Sequence, residues 1–225
     1  MISVLDPNLP SVLAGRANGI GGTHPVRIVG IGGSTRMGSK SLIMLKTALR
    51  MADDAGAVAI LADVRELDLP LYDDDKPLEA YPQSLARLIE VCQGADAFIF
   101  SSPTYHGTVT GAVKNVLDCL NFLWNEEAPY LQGKPVGLMA MGGPGSMNTI
   151  NALHHSARGL NGISVPIVAT ISGSGVDQEN EVVTDQNGLT RMRAVVTELI
   201  DLASRLRRPI SVPLEEWERE ALVTQ

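Results

Sequence analysis

Three short segments of this 225-residue chain carry side chains and backbone suited to an anionic, planar ligand. The first is Gly32-Gly33-Ser34-Thr35-Arg36-Met37-Gly38-Ser39-Lys40-Ser41, rich in hydroxyls, with two cations, and opening directly onto a helical period. Amides at a helix N-terminus lack internal acceptors and favour an anion, and the helix dipole adds to that preference. Ser34, Ser39 and Ser41 can donate hydroxyl hydrogen bonds, and Arg36 offers a planar fork suited to phosphate oxygens. The same segment could be an ordinary strand-to-helix turn with Ser39 as N-cap; four polar groups converging on one turn weigh toward phosphate. The second segment runs from Ser101 to Gly111, where Pro103 and Gly107 fix an exposed turn and Tyr105 stands where a planar ligand would lie. A merely capped turn is the alternative there. The third, Met141 to Asn148, is glycine-rich and leads into a second helix, whose first amides could face a carbonyl that gains negative charge.

Two common phosphate motifs do not fit. A P-loop ending at Lys40-Ser41 would need glycine where Ser34 and Ser39 stand. A dinucleotide fingerprint from Gly30 would need a small residue at Thr35, and Asp63 follows about thirty residues on rather than about twenty. The adjacent His154 and His155 have no metal-ligand spacing and read as helix-surface residues, so no metal site is expected. His106 reads as a ring-packing residue rather than an acid or base. Cys119 reads as a small buried side chain, Lys114 and Asp118 as an intrahelical pair or subunit contact, and Asp73 to Asp75 as a solvated loop. No Ser-His-Asp arrangement is visible, so no catalytic side chain is nominated.

The elements that position these segments alternate regularly from Val26. Apolar runs at Val26–Gly32, Ala57–Asp63, Ala95–Ser101, Pro135–Met141 and Ser164–Ile171 read as five buried strands. Helical periods cover Ser39–Ala55, Gln83–Gln93, Gly111–Leu123, Ser146–Leu160 and Leu189–Arg207. In the first, Leu42, Leu45, Leu49 and Ala52 fall three and four apart, and Gly56 closes it. Leu67–Pro82 reads as a long surface loop, and the stretch after Ile171 as a polar loop to about Gly188. Strand–helix alternation implies an α/β protein with a doubly wound parallel sheet covered on both faces. Ligands in such sheets sit beyond the carboxyl ends of the strands, where all three segments fall. Residues 1–24 and 209–225 show no usable period and read as an N-terminal arm and a C-terminal tail flanking a domain of residues 25–208.

Composition sets limits on function. With 44% hydrophobic, 19% charged and only two cysteines, the chain is neither disordered nor a disulfide scaffold. Its 18 basic against 25 acidic residues, a net charge of -7, argue against a general nucleic-acid or anionic-membrane binder. No apolar run is long enough to span a bilayer. Cys92 and Cys119 form no CxxC pair and no export signal is visible, so reduced thiols and a cytoplasmic location are expected.

On its three segments the chain resembles the NAD(P)H-dependent FMN reductases of the flavodoxin-like superfamily, over about residues 26–207. G-S-x-R-x-x-S stands at Gly33 to Ser39, P-x-Y-x-G at Pro103 to Gly107, and K-N-x-x-D at Lys114 to Asp118. K-P-V stands at Lys134 to Val136, followed by Gly142-Gly143. The resemblance implies a flavodoxin-like five-stranded sheet, FMN as cofactor and NADPH or NADH as co-substrate. It implies that Ser34, Arg36, Ser39 and Ser41 hold the FMN phosphate. Pro103, Thr104, Tyr105, His106 and Gly107 would pack along the isoalloxazine with Thr108 nearby, and Gly142 and Gly143 would present amides to its pyrimidine end. The implied reaction passes hydride from nicotinamide to flavin N5 and then to an acceptor: free flavin (serving a flavin-dependent monooxygenase), a quinone, an azo compound or a metal oxyanion. A homodimer or homotetramer through the helices after the third and fourth strands is also implied, with arm and tail expected to wrap a neighbouring subunit. Two other readings are a non-enzymatic flavodoxin-like electron carrier, which NAD(P)H would not reduce rapidly without a protein partner, and a regulatory nucleotide-binding module, which would show no turnover.

Overall fold

The computed structural model describes residues 3–4, 24–126 and 128–206. Six strands form one sheet: β1 (Ser3–Val4), β2 (Arg27–Gly32), β3 (Val58–Asp63), β4 (Ala97–Pro103), β5 (Pro135–Met141) and β6 (Ile163–Ile171). Their spatial order is β1-β3-β2-β4-β5-β6, and every neighbouring pair is parallel. The five long strands are the five apolar runs, in a flavodoxin-like doubly wound order. Helices α1 (Lys40–Asp54) and α6 (Gln186–Leu206) cover one face; α3 (Gln83–Gly94), α4 (Gly111–Cys119) and α5 (Ser146–Gly159) cover the other. A single turn, α2 (Val64–Leu67), follows β3.

Burial on both faces explains why the central strands read as continuous apolar runs, with β4 and β5 buried at every position. Phe98 and Phe100 pack with Val29 and Ile31 beneath α3 and α4, while Ile28, Ile99 and Met139 pack beneath α1 and α6. Gly30 lets α1 lie close on the sheet, since a Cβ there would come within 2.9 Å of Leu45 Cδ1 and Leu49 Cδ1. Lys134 Nζ donates to the carbonyls of Cys92 (2.9 Å) and Gln93 (3.1 Å), which caps the end of α3 and gives the K-P-V element a structural role. Burial pushes the Cys92 thiol up to about 12 and the Cys119 thiol up to about 11, so both cysteines are inert at neutral pH.

Three stretches differ from the sequence expectation. Ser3–Val4, expected in a structureless arm, adds a sixth strand beside β3, too short to leave an apolar period. The rest of the arm up to residue 23, and the whole tail, lie outside the described residues. The loop of residues 67–82 keeps Asp74 and Asp75 exposed, as expected, but its backbone is also pinned: Asn115 accepts from the Tyr72 amide (2.8 Å) and donates to Pro70 O (2.9 Å). The rings of Tyr72 and Tyr81 also meet Phe122 edge-on. The polar loop after β6 contains a small hairpin, β7 (Val176–Asp177) and β8 (Val182–Val183), and α6 starts at Gln186. As expected, Cys119 is buried, Lys114 pairs with Asp118, and His154 and His155 are exposed. Among the described residues no helix is long and apolar enough to cross a membrane, and no three or more His, Cys, Asp or Glu side chains cluster so as to hold a metal ion.

Candidate functional site

Strand register sets the site. Gly32 pairs with both Asp63 and Ser101, while Met141 pairs with Pro103 and Ile171, so the carboxyl ends lie side by side and their turns converge. The first turn enters α1 through Ser39, whose Oγ accepts from the Leu42 amide (3.4 Å) and whose carbonyl accepts the Ile43 amide (3.1 Å). The Lys40 and Ser41 amides are left without an intrahelical acceptor. Ser34 Oγ accepts from the Arg36 amide at 3.3 Å and shapes the turn below an exposed Arg36 side chain, which has no partner among the described residues.

One of the expected phosphate groups, Ser41, is placed behind another. Ser34 and Ser39 are each 5% exposed and Ser41 1%, and Ser41 Oγ shares a 2.8 Å hydrogen bond with Ser39 Oγ, so it lies deepest of the three, behind Ser39. Lys40, the second cation of the turn, sends its ammonium away to Gly173 O at 2.6 Å. The exposed charge of this turn is therefore Arg36.

The second turn is a tight hairpin closed by reciprocal Tyr105–Thr108 backbone hydrogen bonds (3.0 and 3.1 Å), with His106 and Gly107 both at positive φ. Tyr105, His106 and Thr108 are exposed, and the Tyr105 hydroxyl reaches to 3.5 Å from Ser34 Oγ, joining the second turn to the first. Pro103 does not lie on that surface; it is the buried last residue of β4. Thr104 packs beneath the third turn. Its amide donates to Met141 O (2.7 Å), its hydroxyl receives one from Thr149 (2.9 Å), and a Cβ on Gly142 would come within 2.7 Å of Thr104 Oγ1. The expectation for Gly142 needs correcting: its N–H already donates to Ile171 O at 2.9 Å and cannot also face a ring. Gly143 remains, and a Cβ there or on Gly107 would meet nothing within 4 Å. Helix-start amides, two hydroxyls and a free guanidinium beside an open, glycine-floored surface with an exposed tyrosine fit a phosphate joined to a planar ring. FMN is such a molecule.

Sequence reasoning missed the support behind the first turn. Asp63, 6% exposed, accepts from the Arg65 amide at 3.0 Å and lies 3.2 Å from where a Gly33 Cβ would be. The Arg65 guanidinium in turn donates to Thr35 O. An acid closing an apolar strand was the available signal for a capping role. A cleft between α2 and α4 opens beyond Thr35, with Arg65, Glu66 and Asp68 in its wall.

Burial holds the Asp63 carboxyl above the usual carboxylate range, with Glu66 adding to the shift; the Arg65 amide and the charges of Lys46 and Arg65 only partly oppose it. A folded-state pKa above the unfolded one means that ionised Asp63 costs stability at neutral pH. That cost is relieved as the pH falls through the raised value. Asp63→Asn keeps the capping oxygen and is therefore expected to raise Tm at pH 7, with the gain shrinking as the pH is lowered through that window. Thermal melts of both proteins from pH 7 to pH 4 check this; a gain that grows on acidification would contradict it.

The family described as NADPH-dependent FMN reductase matches residues 26–177. An NAD(P)H-dependent FMN reductase of Pseudomonas aeruginosa is 29% identical over 132 residues, which are 58% of this chain and 66% of that protein. An NADPH azoreductase of Bacillus sp. is 30% identical over 141 residues, 62% of this chain and 74% of the relative. The chain thus spans about two thirds to three quarters of the length of these relatives. Among solved structures, FerB, a flavoenzyme NAD(P)H:(acceptor) oxidoreductase from Paracoccus denitrificans, superposes with a TM-score of 0.64 at 19% identity, covering 80% of this chain and 98% of that one.

Proposed function

Because the chain belongs to the NADPH-dependent FMN reductase family, we propose that it is an FMN-dependent oxidoreductase that takes electrons from NAD(P)H and reduces a planar aromatic acceptor. The observation that carries the reading is the approach of the exposed Tyr105 hydroxyl to Ser34, which brings an aromatic surface and an anion-binding helix start to one place. Bound FMN would supply a two-electron carrier, reduced by the nicotinamide and reoxidised by the acceptor. The chain's own part is to bind and orient. Arg36, the Ser34 and Ser39 hydroxyls and the first amides of α1 hold the phosphate, with Ser41 bracing Ser39 from behind. Tyr105, His106, Gly107 and Thr108 border the ring, Thr104 supports the third turn, and the Gly143 amide faces the pyrimidine end.

The acceptor class follows from the walls. Tyr105, on the second turn, is 49% exposed and Met147, at the start of α5, 48% exposed, and the turns beside them come together where a Gly145 Cβ would lie 3.7 Å from Gly107 Cα. Flat, apolar quinones or azo compounds suit that rim. A metal oxyanion has no apolar face to lay against Tyr105 and Met147. Exposed Trp124, just beyond α4, supports a homodimer through α4 and α5, and buried, unpaired thiols suit the cytoplasm.

The test is a comparison of kcat/KM for a naphthoquinone, an azo dye and chromate with NADPH as donor. The quinone or the dye is expected to lead, and Tyr105→Ala should raise KM for the aromatic acceptors about two- to tenfold, the worth of one aromatic contact. A preference for chromate, unaffected by Tyr105→Ala, would contradict the acceptor assignment.

A further inference from the structure

The β7–β8 hairpin lies against α1. Its root is fixed: Val176 and Val183 are buried with α1 in the core, and the Gly175 carbonyl accepts from the amides of Thr184 (2.9 Å) and Asp185 (3.2 Å). Its tip is organised by Asp177, whose carboxylate accepts from the Glu179 and Asn180 amides (both 3.1 Å) and from Asn180 Nδ2 (2.8 Å). Gln178 is held between these groups, and its Nε2 donates to the carbonyl of Gly38 at 2.6 Å, across 140 residues of chain. On the other side of Ser39, Lys40 Nζ donates to Gly173 O at 2.6 Å. The two ties bracket the N-cap of α1.

Peptide geometry gives the Gln178 contact its consequence. In a trans peptide the C=O of one residue and the N–H of the next point in opposite directions. Drawing the Gly38 oxygen toward the hairpin therefore turns the Ser39 N–H away from it. Gly38 stands at φ +62°, where glycine is favoured, and a Cβ there would come within 2.8 Å of Gln178 Nε2. Without the tie this peptide can rotate and put an acceptor oxygen where a donor is needed. Gln178 also lies just past residue 177, where the family match ends.

We infer that Gln178, held by Asp177, is a positioning residue for the phosphate turn: the hairpin clasps Gly38 and keeps the start of α1 in the shape that grips a flavin phosphate. This rests on the FMN reading proposed above. Riboflavin, which lacks the phosphate, separates an effect on the clasp from general damage to the site. The experiment titrates FMN and riboflavin, by flavin fluorescence, into the wild-type chain and into Gln178→Ala, Gln178→Glu and Asp177→Ala. Gln178→Ala is expected to weaken FMN about three- to tenfold, the range for loss of one hydrogen bond, and to leave riboflavin unchanged. Gln178→Glu should weaken FMN at least as much, because it removes the donor and sets a negative charge beside the Gly38 oxygen. Asp177→Ala should follow Gln178→Ala. An unchanged FMN affinity in Gln178→Ala, or an equal loss for both flavins, would overturn the clasp while leaving the FMN reading in place. Wild-type protein that binds FMN no more tightly than riboflavin would overturn the phosphate reading itself, and the clasp with it.

Discussion

Arg36→Ala is expected to weaken FMN binding about ten- to hundredfold, the range for a charge-assisted pair of hydrogen bonds to an anion. The reason is local. Arg36 is the exposed charge of its turn, since Lys40 is drawn to Gly173, and the Arg36 side chain has no protein partner among the described residues. Removing it deletes an interaction with the phosphate and leaves nothing buried unpaired in the free protein. Riboflavin affinity and turnover at saturating FMN should both hold within about twofold, and the FMN preference of the wild-type chain should fall as salt is added. Isothermal titration with the two flavins at low and high ionic strength measures this directly. Unchanged FMN affinity in the variant would remove Arg36 from the site.

Gly32→Ala should have the largest effect on the fold. A Cβ at Gly32 would stand 2.1 Å from the backbone oxygen of Ser101 and 2.9 Å from its carbonyl carbon. The obstacle is the backbone of β4, which cannot swing aside as a side chain would. Relief requires β2 and β4 to part at the point where the first and second turns leave the sheet, which also endangers the Gly33 N–H bond to Ser101 O (3.3 Å). A loss of about 3 kcal/mol is expected, at the upper end for overpacking, lowering Tm by about 6–12 °C in a chain of this size. Gly143→Ala is the control: its Cβ would meet nothing within 4 Å, and Tm should barely move. Equal melting points for the two variants would show that the strand ends have more freedom than this packing implies.

The parts of the site that depend on local chemistry were legible in the chain. Continuous apolar runs marked strands buried on both faces, and β5 fell on Pro135–Met141 as read. Ser39 could be named an N-cap because capping is a relation between residues three apart. The exposed turn at Tyr105 followed from Pro103 and Gly107. Groups whose roles are set by distant partners were not legible. Lys40 counts only as a second cation of the turn until Gly173 is known to lie within its reach. The Gly142 amide reads as available until β6 supplies Ile171 O, and Ser41 as a phosphate contact until its bond to Ser39 is seen. Ser3–Val4 and the β7–β8 hairpin have two-residue strands, too short for any period to register, and they exist because β3 and α1 provide surfaces for them. Asp73 to Asp75 are solvent-facing as read, but nothing in that run announces that the neighbouring Tyr72 and Tyr81 will close on Phe122.

The most direct test of the account is anaerobic titration of the FMN-loaded chain with NADPH, followed by visible absorbance. The account predicts prompt bleaching of the bound-flavin bands, complete near one NADPH per FMN and reversed on adding a quinone. Flavin that binds and stays oxidised with NADPH in excess would contradict it, and would leave a flavin-binding protein that carries electrons only for a protein partner.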